Sequence, residues 1–230
     1  MEFSDEPAWK VDDEAQLVVP FADRRAAGCA LASVLRHYAQ MPDVLVLALP
    51  RGGVPVGYEV AQALNASLDV FVVRKLGVPD QEELAMGAIA SGGAHLLNEP
   101  LIRDLGITPA QVEAILERET VELERRESTF RAGLPALDVT QRTVIVVDDG
   151  LATGASMLVA ARALRQRGPQ RLVVGVPVAA AETCAAFESE VDEIVCAATP
   201  QPFRAVGLWY EDFEQTTDEE VQQLLAASRR

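Results

Sequence analysis

Two acids, a run of small residues and two hydroxyls stand together in Asp148-Asp149-Gly150-Leu151-Ala152-Thr153-Gly154-Ala155-Ser156. A glycine-containing turn that enters a helix presents unpaired backbone N–H groups and the positive end of the helix dipole, an arrangement that binds phosphate. Thr153 and Ser156 add hydroxyl donors to it. The carboxylates just before it would repel a bare phosphate. They suit a ligand that carries vicinal hydroxyls or a magnesium ion beside its phosphate. A ribose 5-phosphate meets both demands.

Two further stretches carry chemistry. In Pro50-Arg51-Gly52-Gly53, the glycines let the backbone approach a ligand closely and Arg51 offers a fork of donors suited to phosphate. Arg74-Lys75 places two cations side by side, in a chain with only one other lysine, Lys10. His37 falls on an amphipathic stretch and His95 in a Gly-rich, weakly periodic one, where a packing or surface role and a surface loop role are the ordinary readings.

These residues need elements to position them. Val144 to Val147 are four apolar β-branched residues, the mark of a strand buried on both faces, and helical periodicity resumes from Ala155 towards Gly168. Val44 to Leu49 form a second such strand ahead of the Arg51 turn, with a helix over 54–64. Asp69 to Val73 read as a third strand ending in the two cations, which puts them at the ligand edge of the sheet. Asp23 caps a helix running to about Gln40, and Thr108-Pro109-Ala-Gln111 opens a long helix to about Phe130, ended by Gly133 and Pro135. Charge pairs such as Glu122 with Arg126 mark the solvated face of that long helix. Strands over 172–178 and 191–196, a helix over 181–190 between them and a helix over 217–227 complete the order. Repeated βαβ units predict an α/β fold: a doubly wound, mainly parallel sheet flanked by helices. With the usual central reversal, strands 44–49 and 143–148 are neighbours, and their loops open into one crevice.

The acidic pair, the small turn and Thr153-x-Gly-x-Ser156 behind an apolar strand resemble the signature of the type I phosphoribosyltransferases. No Gly-Lys-Ser/Thr ends the loop, so it is not a Walker A sequence, and no Gly-x-Gly-x-x-Gly fingerprint occurs. The resemblance covers roughly residues 44–215. It implies transfer of the 5-phosphoribosyl group of phosphoribosyl pyrophosphate to a nitrogen nucleophile, a nucleobase, with magnesium and release of pyrophosphate. By the same resemblance Asp148 and Asp149 contact the ribose and the metal, and Gly150 to Ser156 hold the 5-phosphate. Arg51, Gly52, Gly53, Arg74 and Lys75 receive the pyrophosphate, and Asp149, Arg74 and Lys75 form the catalytic set. It also makes Pro50–Arg51 a candidate for a cis bond.

Residues 76–98 match in position the family's flexible closing loop, but between Lys75 and Arg103 this chain has neither lysine nor arginine. His95 or Ser91 would then assist the departing pyrophosphate, or Arg74 and Lys75 act alone. Phe203, Trp209 and Tyr210 sit where the family carries a small hood that stacks the base; pinning the tail to the core is the competing role. Ala152 before Thr153 resembles the adenine enzymes, whereas Phe203-Arg-Ala-Val-Gly207 resembles the 6-oxopurine hood, so the base stays open. A ligand sensor of the same fold, which binds without turnover, is the alternative from a different class.

Composition bounds the rest. The 230 residues, 49% apolar, suit one α/β unit with additions: an N-terminal arm (1–20), a core (21–198) and a hood with a C-terminal helix (199–230). A net charge of −15 argues against nucleic acid as a partner. No apolar run is long enough for a membrane span, and the acidic N-terminus is unlike a signal peptide. Cys29, Cys184 and Cys196 lie in apolar settings without CxxC spacing and read as reduced core thiols of a cytoplasmic protein. The expected partners are small-molecule substrates, with a homodimer as a compatible assembly.

Overall fold

The computed structural model describes residues 19–131 and 137–229. The expected arm over 1–20 and the helix stop at Gly133 and Pro135 fall almost wholly outside them. In chain order the elements are α1 (Arg24–Val34), β1 (Val44–Ala48), α2 (Gly53–Leu64), β2 (Ser67–Val70), β3 (Val73–Val78), β4 (Gln81–Ala90) and β5 (His95–Leu97). There follow α3 (Glu99–Asp104), α4 (Pro109–Arg131), β6 (Thr143–Val147), α5 (Ala155–Arg165), β7 (Arg171–Val178), α6 (Ala181–Phe187), β8 (Glu193–Ala198) and α7 (Asp218–Ser228). Asp23 caps α1 by accepting from the Ala26 amide at 2.7 Å, and Thr217 caps α7 by accepting from the Glu220 amide at 3.1 Å.

Five strands form a parallel sheet in the order β2-β1-β6-β7-β8. The apolar runs in β1 and β6 are buried at every position because both faces are covered. Alternate residues serve alternate layers. Val46, Ala48, Ile145, Val147 and Val173 pack with Leu31 of α1 and Val56, Val60 and Leu64 of α2. Leu45, Leu47, Val144, Val146 and Val174 pack with Met157 and Leu164 of α5 and Phe187 of α6. Each fully buried Val, Leu, Ile, Met or Phe side chain contributes about 1.5–3 kcal/mol. Strand order reverses between β1 and β6, so the chain leaves their carboxyl ends in opposite directions and opens a crevice there.

Residues 76–98, read from sequence as a closing loop, are not a loop. They contribute most of a three-stranded antiparallel sheet, β3-β4-β5, which packs against α4 and α5. Leu76, Val78, Met86, Ala88 and Ala90 are buried. Register shifts around Gly77 break the period of two, and the many alanines and glycines blunt its apolar contrast, so alternation is hard to see. Gly87 is required where it stands, because a Cβ there would collide with the Leu96 carbonyl. The same difference moves Arg74 and Lys75. β2 stops at Val70, the chain leaves the parallel sheet through Phe71 and Val72, and both cations lie on β3 of the second sheet.

The cysteines differ as well. Cys184 of α6 and Cys196 of β8 form a disulfide, with Cα atoms 6.7 Å apart, and Cys29 is exposed on α1. Free thiols in the core therefore give no argument for compartment. Among the described residues no helix is long and apolar enough to cross a membrane.

Candidate functional site

The loop after β6 is held from behind and open in front. The Leu151 amide donates to the Val178 carbonyl at 2.9 Å, and the Ala180 amide donates to the Leu151 carbonyl at 3.1 Å, joining the loop to the end of β7. The Thr183 hydroxyl donates to the Ala152 carbonyl at 2.6 Å. Gly154 adopts φ +73°, where a side chain is strained, and a Cβ there would come 2.7 Å from the Phe187 ring. Among the described residues no side chain caps α5, and the amides of Ala152 to Ser156 donate to no backbone carbonyl. Thr153 is exposed and Ser156 half-buried beside them. Uncommitted donors at the positive end of a helix form an oxyanion cradle.

Asp148 and Asp149 stand at the lip of this cradle, and the loop after β1 presses on them. Pro50–Arg51 is cis. Gly52 and Gly53 admit the contact: a Cβ on Gly52 would overlap Asp149 Oδ2, and one on Gly53 would lie 2.7 Å from the Val147 carbonyl and 2.9 Å from Asp148 Cα. The Asp149 amide donates to Asp148 Oδ1 at 2.9 Å. Burial pushes the Asp148 carboxyl well above the usual range, and the adjacent Asp149 adds to the effect. Burial raises Asp149 too, against the pull of Arg24, whose Nε donates to Oδ2 at 2.9 Å. Two crowded, desolvated acids favour a ligand that brings hydrogen-bond donors or positive charge. No group of three or more His, Cys, Asp or Glu side chains suited to a metal occurs among the described residues, so these acids can supply two ligands at most.

The remaining cations divide. Arg51 faces the N-terminus of α7, with Nη1 3.6 Å from Asp218 Oδ1. Arg74 donates through Nε (2.9 Å) and Nη2 (2.5 Å) to Glu119 Oε2, a carboxylate only 7% exposed on α4. Lys75 is exposed and has no ion-pair partner among the described residues. A cavity of about 370 Å³ brings Arg74 and Lys75 together with Ser156 and with Arg118, Glu119 and Arg126 of α4. Arg51 does not line it. Ser91 is committed elsewhere: it is buried, and its hydroxyl accepts from the Val72 amide at 2.8 Å. His95 is exposed on β5.

The three tail aromatics also separate. Tyr210 is buried with Phe21, Ala27 and Val178, and its hydroxyl donates to the Asp149 carbonyl at 2.5 Å. Burial raises its pKa further, so it stays a neutral donor. Phe203 and Trp209 are half-buried and stack with ring centroids 6.4 Å apart. Tyr210 is thus a clamp on the motif, while Phe203 and Trp209 pack against the same cluster and stay half-buried.

Sequence reasoning missed Arg24, Glu119 and Phe213. Arg24 follows a helix cap and Glu119 sits in a helix full of paired charges, so neither stands out. Phe213 lies three residues beyond Tyr210, and its ring carries the Arg24 guanidinium, 3.9 Å from centroid to Cζ.

Comparison with known proteins agrees with this geometry. The family model described as phosphoribosyl transferase domain matches residues 24–201. A Mycobacterium tuberculosis protein provisionally named a phosphoribosyl transferase is 44% identical over 210 residues, 91% of this chain and 47% of its own length. The chain thus spans about half of that relative. A uracil phosphoribosyltransferase of Latilactobacillus sakei is 30% identical over 162 residues, 65% of this chain and 77% of its own. The crystal structure of TT1426 from Thermus thermophilus superposes with a TM-score of 0.77 at 40% identity, covering 90% of this chain and 98% of that one.

Proposed function

This chain belongs to the phosphoribosyl transferase family, and on that footing we propose that it transfers the 5-phosphoribosyl group of phosphoribosyl pyrophosphate to a ring nitrogen of a nucleobase. The observation that carries the reading is the open cradle at the N-terminus of α5 set beside Asp148 and Asp149. A phosphate fits the donors and a ribose diol fits the acids.

In this reading the new C–N bond forms at the anomeric carbon as its bond to pyrophosphate oxygen breaks. The bonding pair leaves with pyrophosphate, and the nitrogen loses its proton to water. Positive charge gathers on the ribose between these events. Asp148 and Asp149 supply carboxyl oxygens there; burial disfavours their charge in the ligand-free protein, and the positive charge gathering on the ribose draws it out beside acids that are already in place. Loop 150–156 anchors the 5-phosphate and thereby aims the ribose. Lys75, free of partners among the described residues, faces the leaving group from β3, and Arg74 is held ready by Glu119. The two carboxylates fit magnesium only as part of its shell, with ligand oxygens and water completing it. When bound, magnesium would neutralise charge on the pyrophosphate.

The half-buried ring pair of Phe203 and Trp209 supports a flat acceptor. The second reading, a sensor that binds the same ligand without turnover, draws on the commitment of Arg74 to Glu119 and of Ser91 to the backbone. A pyrophosphate-release screen across nucleobases with magnesium separates the two. Release with at least one base supports transfer; calorimetric binding with no release under any base supports the sensor.

A further inference from the structure

Arg24 is the first residue of α1 and belongs to none of the anion-facing segments, yet its guanidinium reaches the acidic motif. Nε donates to Asp149 Oδ2 at 2.9 Å, Nη1 donates to the Glu214 carbonyl at 2.6 Å, and the group lies over the Phe213 ring. Both side chains of the ion pair are largely shielded, 12% and 16% exposed. Oδ2 is also pressed by Gly52, whereas Oδ1 has no side-chain hydrogen-bond partner among the described residues. Tyr210 separately fixes the Asp149 carbonyl. Backbone and one oxygen of this acid are therefore held, and one oxygen is left over.

We propose that Arg24 is a positioning residue that fixes Asp149 so that Oδ1 faces the ribose or its metal, and that it couples this acid to the tail at 213–214. The inference rests on the phosphoribosyl reading for its ligand. A carboxylate locked before binding loses no rotational freedom when the ligand arrives. One planar fork serves an acid and a carbonyl while stacking on a ring, which a lysine ammonium cannot do at once. Capture of ribose at Oδ1 then steadies Arg24, and with it residues 213 and 214.

The test pairs Arg24→Gln and Arg24→Lys with wild type. Calorimetry in magnesium measures phosphoribosyl pyrophosphate, ribose 5-phosphate and pyrophosphate, and amide hydrogen exchange follows residues 211–216. We expect Arg24→Gln to weaken both ribose ligands about tenfold while pyrophosphate changes less than about twofold, with Arg24→Lys between. Exchange at 211–216 should rise in the ligand-free variant, and the protection that ribose 5-phosphate confers on wild type should be lost. Equal losses for all three ligands, or unchanged affinity for the ribose ligands, would overturn the positioning role. Should wild type bind neither ribose ligand, the phosphoribosyl reading and the ribose half of this inference fall together. The coupling to the tail is still decided by exchange in the ligand-free proteins, and no difference at 211–216 overturns it.

Discussion

Two walls of the crevice are built on different principles. The loop at 150–156 offers main-chain amides at a helix end, tied from behind by Leu151 to β7 and backed by Thr183 and Phe187 of α6. The β3 wall offers side chains, one of which is already engaged: Arg74 is bound to Glu119, while Lys75 extends without a partner among the described residues. Amides placed by the fold pay no rotamer entropy on binding, whereas a lysine on a flexible stem does. The first wall should therefore supply steady affinity, and the second a weaker contribution specific to the leaving group.

The comparison breaks most visibly at the acids beside the first wall. Replacing Asp148 and Asp149 together by Asn keeps their shape but removes the ionisable oxygens, and magnesium-dependent binding of phosphoribosyl pyrophosphate should fall by about two orders of magnitude, read by calorimetry. Asp148→Asn alone should raise the melting temperature of the ligand-free protein at neutral pH. The sign follows from linkage. The folded-state pKa of Asp148 is raised, so ionising it opposes folding once pH passes the unfolded value near 4, and removing the charge removes that cost. A lower melting temperature would mean the carboxylate is structural.

Smaller effects sharpen the contrast between the walls. Thr153→Ala with Ser156→Ala should weaken phosphoribosyl pyrophosphate and ribose 5-phosphate alike, by at least about tenfold, since hydrogen bonds to a charged group contribute roughly 1.5–3 kcal/mol each. Lys75→Ala should cost only severalfold, in phosphoribosyl pyrophosphate and pyrophosphate but not in ribose 5-phosphate. Similar losses for all ligands in both variants would erase the distinction. The smallest change is expected at the rim: Phe203→Leu or Trp209→Leu should raise the apparent constant for the base severalfold, as a stacked ring contributes on the order of 1 kcal/mol. Tyr210→Leu should instead lower the melting temperature, because it removes a buried ring and the donor to the Asp149 carbonyl.

The same contrast explains what the amino-acid sequence reveals by itself. The first wall is contiguous: strand, acids, glycines and hydroxyls follow one another, so residue types and spacing are enough. The pairing of β1 with β6 matches the usual central reversal of a βαβ order, and the cis bond at Pro50–Arg51 matches what the family resemblance implied. The second wall depends on partners far apart in the chain. Arg74 meets Glu119 across 45 residues, and Arg24 meets Asp149 across 125. Within α4, Glu119 looks like any other acid of a charge-paired helix until packing buries it. Residues 76–98 hid their strands because bulges and small side chains disrupt alternation. Cys184 and Cys196 gave no sign of pairing, since only the packing of α6 beside β8 brings them together.

The close seat of Gly52 against Asp149 has a consequence for inheritance. A lineage that acquires even a methyl group at 52 must displace the acid at 149. Once that carboxylate is pushed aside, the shielded charge of Arg24 loses its counterion, and keeping it becomes costly. Positions 24, 52 and 149 are therefore expected to drift as one set, substituted together or not at all, while an exposed neighbour such as Glu211 is free to vary alone.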